Sequence, residues 1–78
     1  MKSDKYLKDR IEGSMGERIY KLRRSAGLTQ SELGEAIGVN ASAVAHWERN
    51  HKSVHAVNII ALCSFFGVSA DWLLGLKD

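Results

Sequence analysis

The stretch QSELGEAIGVNASAVAHWER, residues 30–49, decides the fold of this 78-residue chain. It predicts two short helices that meet at a steep angle across a tight turn. Gly34 supplies the small residue needed where the two backbones approach closely, and Gly38 tolerates the positive φ that the turn requires. Apolar and small residues at all of these spacings together favour this unit over a generic helical hairpin. The residues predicted to face inward are Leu33, Ile37, Val39, Val44 and Trp47.

Helix start and stop signals recur on both sides of this pair. Ser14 with Glu17, and Thr29 with Glu32, have the spacing of capping boxes, and glycines follow most of the apolar helical stretches. No stretch of useful length alternates between apolar and polar residues in the manner of a strand. The sequence therefore predicts an all-α, compact bundle of five short helices, with caps at Ser14, Thr29, Asn40, Ser53 and Ser69 and with the fourth helix over about 54–66.

Length and composition bound the organisation of the chain. Residues 14–76 are predicted to form one small helical domain, and residues 1–13 an N-terminal extension. Leu7 and Ile11 lie four apart, so the extension is either a short extra helix or a mobile basic arm. No apolar run approaches the roughly 20 residues of a membrane span, and no secretory signal is present. One cysteine permits no disulfide within the chain, which suits a reducing cytoplasm.

Charge is unevenly distributed although the formal net charge is only +2. Residues 1–24 hold eight basic and four acidic residues, whereas residues 25–78 hold three basic and five acidic residues. A basic end beside a mildly acidic body is a weak electrostatic footprint for nucleic acid. An ordinary solvated N-terminus explains the same distribution, so the charge pattern alone does not distinguish a nucleic-acid-binding protein from one without such a partner.

Catalytic and metal chemistry find no support in the sequence. No strand precedes a glycine-rich phosphate loop, and no carboxylate pair has the surroundings that acid–base catalysis needs. Cys63 lies on an apolar stripe without an evident histidine partner. His51 and His55 are four apart, but a helix start near residue 54 places them off a common helical face. We therefore expect neither an enzyme nor a bound metal or cofactor.

Four segments carry a family resemblance: MGERIYKLRR, GLTQSELGEAIGV, AVAHWERN and FGVSADWLLG. Together they span residues 15–75, about four-fifths of the chain, and resemble the DNA-binding domain of lambdoid phage immunity repressors and Cro proteins, within the xenobiotic-response-element regulator family. The resemblance implies a phage or prophage transcription regulator acting on the bacterial nucleoid. It also implies that the second helix of the 30–49 unit lies in the major groove of a palindromic double-stranded operator. Some family members act as antitoxins or protein-binding adaptors, so the resemblance also allows an alternative function in which the main surface contacts a protein.

The resemblance also implies which side of that second helix faces DNA. Val44 and Trp47 turn toward the core, so positions 41, 42, 45 and 46 face away from it. A serine hydroxyl can donate or accept, an alanine methyl suits a thymine methyl, and a histidine can reach a guanine acceptor. The family's frequent Gln and Asn readers are absent, which favours a contribution from DNA shape. The base contacts implied are Ala41, Ser42, Ala45 and His46.

Further roles are carried over by position. The family's glutamine at the first position of the 30–49 unit holds a backbone phosphate, where free N–H groups and the helix dipole attract an anion. Arg23 and Glu48 correspond to a buried ion pair that ties the first helix to the recognition helix. The resemblance implies Gln30 as a phosphate contact. Four residues that flank the recognition helix are further candidates for phosphate contact: Asn40, Asn50, His51 and Lys52.

The C-terminal third is more apolar than one small core requires. The segment HAVNIIALCSFFG is apolar nearly all round, and such a helix needs cover on more than one side. A homodimer, which two operator half-sites require, would supply that cover. The family's DWLL segment often lies near the dimer contact, which favours Trp72, while Ile60 and Phe65 are either interface or core. The predicted interface residues are Trp72, Phe65 and Ile60, with Val57 and Leu76 as further surplus apolar residues.

Overall fold

The computed structural model describes residues 14–50 and 52–76, and over these ranges the chain is helical with no strand. The all-α prediction with five helices is confirmed. Neither the predicted extension, residues 1–13, nor His51 falls within the described residues. Within them, none of the helices combines the length and the apolar character needed to cross a bilayer. The helices are α1 (Ser14–Ser25), α2 (Gln30–Ile37), α3 (Ala41–Glu48), α4 (Ala56–Phe66) and α5 (Ala70–Leu73).

Local capping signals set where α2, α3 and α5 begin. The Thr29 hydroxyl accepts from the Glu32 backbone N–H at 3.0 Å, and the Glu32 carboxylate accepts from the Thr29 N–H at 2.8 Å. The Asn40 Oδ1 accepts from the Ala43 N–H at 2.8 Å at the start of α3. The Ser69 hydroxyl accepts from the first turn of α5 in the same way. These three predicted caps are confirmed, and each supplies an acceptor to a backbone N–H in the first turn of its helix.

The predicted start of α4 was wrong. The helix begins at Ala56, its N-cap is His55 without a side-chain capping bond, and Ser53 lies before it in a non-helical segment. Val54 is 8% exposed and packs into the core from this segment. Burying a valine side chain is worth about 1.5–3 kcal/mol, whereas a serine cap is worth about 1 kcal/mol. Burial of Val54 therefore outweighs the serine cap that the local pattern favoured.

One hydrophobic core joins all five helices. α1, α2, α4 and α5 each place buried apolar side chains in it, and α3 contributes both Val44 and Trp47. Ile37 and Val39, predicted to face inward, are half-buried and pack against this core from the end of α2 and from the α2–α3 turn. The buried core residues are Met15, Ile19, Leu33, Val44, Trp47, Val54, Leu62 and Leu73.

The turn between α2 and α3 depends on two glycines, as the sequence predicted. Gly38 has φ 87°, a left-handed conformation that favours glycine. Gly34 is buried, and a Cβ added to it would lie 2.5 Å from the Val39 carbonyl oxygen. The Gly34 carbonyl also accepts the N–H groups of Gly38 and Val39, both at 2.8 Å. The α2 backbone and the turn are thus in direct contact, with no room for a side chain.

We expect Gly34→Ala to destabilise the fold by about 1–3 kcal/mol, because backbone atoms must move to admit the methyl group. Alanine is otherwise preferred over glycine in a helix by about 1 kcal/mol, so the steric effect opposes helix propensity here. Urea denaturation measures the free energy of unfolding. The matched control is Ala36→Gly, at an exposed position of the same helix, which should cost about 1 kcal/mol. A Gly34→Ala protein more stable than the parent would contradict the close contact.

Candidate nucleic-acid interface

The outward side of α3 carries the four residues predicted to contact bases. Ser42 is exposed, and the other three, Ala41, Ala45 and His46, are half-buried at the surface. Val44 and Trp47 anchor the opposite side of the helix in the core. The outward side is therefore short, weakly polar and held on a rigid helix.

A groove of about 300 Å³ opens beside α3. Ser42 and His46 line it from α3, and Lys52 lines it from the segment that leads to α4. Two side chains of the α4 start, His55 and Asn58, complete the wall. Candidate base-contacting and phosphate-contacting residues thus border one polar, partly basic groove.

Sequence reasoning missed the α4 side of this groove. The sequence pattern predicts a helix cap at Ser53, offers His55 only as half of an unsupported metal-ligand pair, and does not single out Asn58. The available signal was a run of polar and basic residues directly before an apolar helix. The incorrect helix start at residue 54 hid it, because it placed His55 inside the helix.

Arg23 and Glu48 are brought together as a buried ion pair. The Arg23 Nε donates to Glu48 Oε2 at 2.6 Å and its Nη2 donates to Oε1 at 3.0 Å. The side chains are only 10% and 6% exposed. The hydrogen bond to Glu48 raises the pKa of Arg23 above its ordinary value, so the guanidinium stays charged. Arg23 also donates to the Leu28 carbonyl at 2.9 Å, which ties α1, the α1–α2 turn and α3 together.

Gln30 is connected to this ion pair. It is half-buried at the first position of α2, and its Nε2 donates to Glu48 Oε1 at 3.1 Å. Sequence reasoning treated Gln30 as a phosphate contact and Glu48 as a structural residue, without a link between them. The bond spans 18 residues of chain, so no local pattern could have indicated it.

The end of α3 packs closely on the start of α1. Asn50 has φ 60°, and its side-chain oxygen lies against the backbone of Gly16. A Cβ on Gly16 would also lie 2.6 Å from the Trp47 carbonyl oxygen. Gly16 was not singled out from the sequence, although a glycine in the first turn of a helix is a signal for such an approach. The role of Asn50 in phosphate contact stays a prediction.

The residues predicted to form a dimer interface differ widely in exposure. Trp72 is half-buried, with the Arg18 guanidinium 4.7 Å from its ring centroid and donating to the Trp72 carbonyl at 2.7 Å. Ile60 is 68% exposed and Phe65 is 47% exposed, so the alternative that they are core residues was wrong. Leu62 fills the core position of α4 instead, on the side of the helix opposite Ile60, whereas Phe65 lies at the edge between the two sides.

Val57 and Leu76 are also strongly exposed, at 70% and 65%. The apolar surplus of the sequence therefore lies mainly on the surface of α4 and after α5. Cys63 is half-buried against the core, and burial raises the pKa of its thiol, which disfavours the reactive thiolate. No group of three or more potential metal ligands comes together in residues 14–50 and 52–76.

Comparisons with known proteins agree with this geometry. Residues 19–73, which include the C-terminal part of α1 and all of α2 to α5, match the family model described as helix-turn-helix. The HTH-type transcriptional regulator ImmR of Bacillus subtilis (strain 168) is 32% identical over 65 residues, or 83% of this chain and 50% of that protein. Repressor protein C2 of Salmonella phage P22 is 37% identical over 60 residues, or 77% of this chain and 28% of that protein.

A solved structure shows the same similarity in three dimensions. The crystal structure of the P22 c2 repressor protein in complex with synthetic operator 9T, in the presence of Tl+, matches with a TM-score of 0.74 and 37% identity. The match covers 78% of this chain and 94% of that chain. The chain spans half or less of the length of the two curated relatives described above. The resemblance to phage repressors is confirmed by these matches.

Proposed function

Because the chain belongs to the helix-turn-helix family, we propose that it is a transcriptional regulator that binds double-stranded DNA in a sequence-specific manner. α3 is the recognition helix and lies in the major groove of an operator. The observation that carries the proposal is the outward side of α3, which is held by Val44 and Trp47 and bordered by a polar, partly basic groove. The chain acts by binding and not by catalysis.

The residues at this surface make two kinds of contact with DNA, to base edges and to the sugar-phosphate backbone. Side chains on the outward side of α3 reach base edges and select sequence, whereas residues around α3 hold the sugar-phosphate backbone and set the register. The groove supports adding His55 to the phosphate-contacting group, because His55 lines the same groove as Ser42 and His46. The proposed base contacts are Ala41, Ser42, Ala45 and His46, and the proposed phosphate contacts are Gln30, Asn40, Asn50, His51, Lys52 and His55.

We expect His46→Ala or Ser42→Ala to relax sequence preference, and Gln30→Ala to weaken binding to all sequences alike. Each base contact should contribute roughly 1–3 kcal/mol of discrimination against the wrong base. Selection of bound duplexes from random DNA defines the preferred site, and fluorescence anisotropy on that site and on its single-base variants measures the loss.

Ala36→Ser, an exposed polar change on α2 away from the proposed contacts, is the control and should keep the parent preference. If Gln30→Ala altered the preferred sequence while His46→Ala left it unchanged, the division between base and phosphate contacts would be wrong.

The regulator acts as a homodimer on a palindromic operator. One recognition helix reads too few base pairs for useful specificity, and a two-fold pair spaces two helices by about 34 Å, one turn of DNA. Exposed apolar side chains outside α3 support a self-complementary patch. The proposed interface comprises Trp72, Phe65 and Ile60.

Phe65→Glu should abolish dimer formation and lower the preference for a full palindrome over a half-site by at least about tenfold, since a buried charge opposes association. Phe65 is a cleaner test than Trp72, whose ring packs under Arg18 and contributes to the fold. Sedimentation measures mass, and gel retardation compares the two DNA sites.

Ala36→Glu adds the same charge at an exposed position of α2 and serves as the control. An unchanged mass together with an unchanged preference for the palindrome would place the interface elsewhere. If the folded parent protein bound no DNA at all, the result would instead favour a protein-binding adaptor.

A further inference from the structure

We propose that Glu48 is a positioning residue for DNA binding, which orients the side-chain amide of Gln30 so that it presents an N–H group to a backbone phosphate. This inference rests on the proposed function. It concerns the hydrogen bond from Gln30 Nε2 to Glu48 Oε1, at 3.1 Å. Neither the structural role of the Arg23–Glu48 ion pair nor the phosphate contact of Gln30, each taken alone, requires this bond.

The first step of the argument is the choice between two amide orientations. The oxygen and nitrogen ends of a glutamine amide have nearly the same size, so packing alone does not select one of them. A carboxylate only accepts hydrogen bonds, and it therefore requires the nitrogen end of Gln30 to face it. The amide nitrogen carries two hydrogens in one plane. One is held by Glu48, and the other is directed to a different acceptor.

The second step is that Glu48 is itself immobile. Two Arg23 hydrogen bonds, at 2.6 and 3.0 Å, hold its two oxygens, and its side chain is 6% exposed. The same Oε1 accepts from both Arg23 and Gln30. The position of the Gln30 amide is thus set by α1 and α3 together. Fixing a polar group before binding removes part of the entropy cost of ordering it in the complex.

The third step concerns charge. An uncompensated carboxylate beside a phosphate would repel it, and Arg23 supplies the compensating positive charge at hydrogen-bond distance. The pair is neutral as a whole. The Arg23–Glu48 pair therefore supports a phosphate contact without adding net charge to the surface.

A double-mutant cycle on DNA affinity tests the proposal. Replacing both ion-pair partners, Arg23→Met with Glu48→Met, removes the acceptor and leaves the net charge unchanged. Apolar replacement of a complete buried ion pair is often neutral for stability, so this variant should fold. Anisotropy with a duplex selected by the parent protein measures affinity. Gln30→Ala should reduce it about tenfold in the parent background, as expected for a hydrogen bond to a charged group, and about twofold or less in the double variant.

Glu35→Gln is the matched control, because it removes an exposed α2 carboxylate that does not hold Gln30. In that background Gln30→Ala should again reduce affinity about tenfold. A second readout needs no DNA. The Gln30 side-chain amide signals in a nitrogen–proton correlation spectrum should move toward those of a solvated glutamine in the double variant, and stay in place with Glu35→Gln.

The outcomes separate this proposal from the one it rests on. A tenfold loss from Gln30→Ala in both the parent and the double variant, or unmoved amide signals, overturns the positioning role and leaves Gln30 as a phosphate contact. No loss in any background overturns the phosphate contact itself and the positioning role with it. Loss confined to the parent and the Glu35→Gln background, with moved signals in the double variant, supports the proposal.

Discussion

Replacing Glu48 with alanine is expected to destabilise the fold by about 3–5 kcal/mol. The carboxylate accepts two hydrogen bonds from Arg23 and one from Gln30. Its removal leaves a guanidinium whose side chain is 10% exposed without its counter-charge. A buried charge without a counter-charge has lost most of its hydration, and the remaining hydrogen bond to the Leu28 carbonyl does not replace what is lost. In a 78-residue domain of marginal stability, a loss of this size leaves much of the protein unfolded at 37 °C.

Urea denaturation followed by circular dichroism measures this loss. The complete replacement, Arg23→Met with Glu48→Met, should remain within about 1–2 kcal/mol of the parent, because no unpaired charge is left behind. Glu35→Ala, at an exposed position of α2, should change stability by less than about 0.5 kcal/mol. A loss below about 1 kcal/mol for Glu48→Ala is the range of surface ion pairs, and it would be incompatible with a buried pair.

DNA affinity is expected to fall about 10³-fold between about 50 and 200 mM salt. Each phosphate that the protein neutralises releases bound counterions, and added salt opposes that release. The expected fall lies at the shallow end of the range for a dimer with several phosphate contacts. The reason is that the chain carries only +2, and three of the proposed contacts, Gln30, Asn40 and Asn50, are neutral side chains.

Anisotropy across a series of salt concentrations gives the slope of log affinity against log salt. Lys52→Gln should make that slope shallower by about one for each subunit, because it removes one cationic phosphate contact from the groove. Asp71→Asn changes the net charge by the same magnitude at the exposed start of α5, outside the groove, and should leave the slope unchanged. An affinity that does not vary with salt would contradict binding through backbone phosphates.

Local chemistry explains how much of the fold was predictable. The capping box at Thr29, the cap at Asn40 and the positive φ of Gly38 all involve residues within four positions of one another. Their energies are nearly independent of the rest of the chain, so the sequence predicts them directly. The spacing of apolar residues on α3 likewise indicated which side faces the core. The helix pair, and with it the position of the candidate recognition surface, followed from these signals.

The tertiary structure alone decided which distant side chains meet. The start of α4 at Ala56 follows from burial of Val54, which outweighs the local cap at Ser53. The exposure of Phe65 depends on where α4 places Leu62, since an almost entirely apolar helix has no polar side to indicate its orientation.

The hydrogen bond from Gln30 to Glu48 was also decided by the tertiary structure and not by local sequence. Gln30 and Glu48 stand 18 residues apart, and Arg23 and Glu48 stand 25 apart. The family resemblance implied the ion pair but not the amide that joins it. By itself, then, the sequence determined the five helices, the caps of α2, α3 and α5 and the outward side of α3, because those depend on neighbours along the chain. Packing decided the hydrogen-bond network behind that surface, because the network exists only once α1, α2 and α3 are in contact.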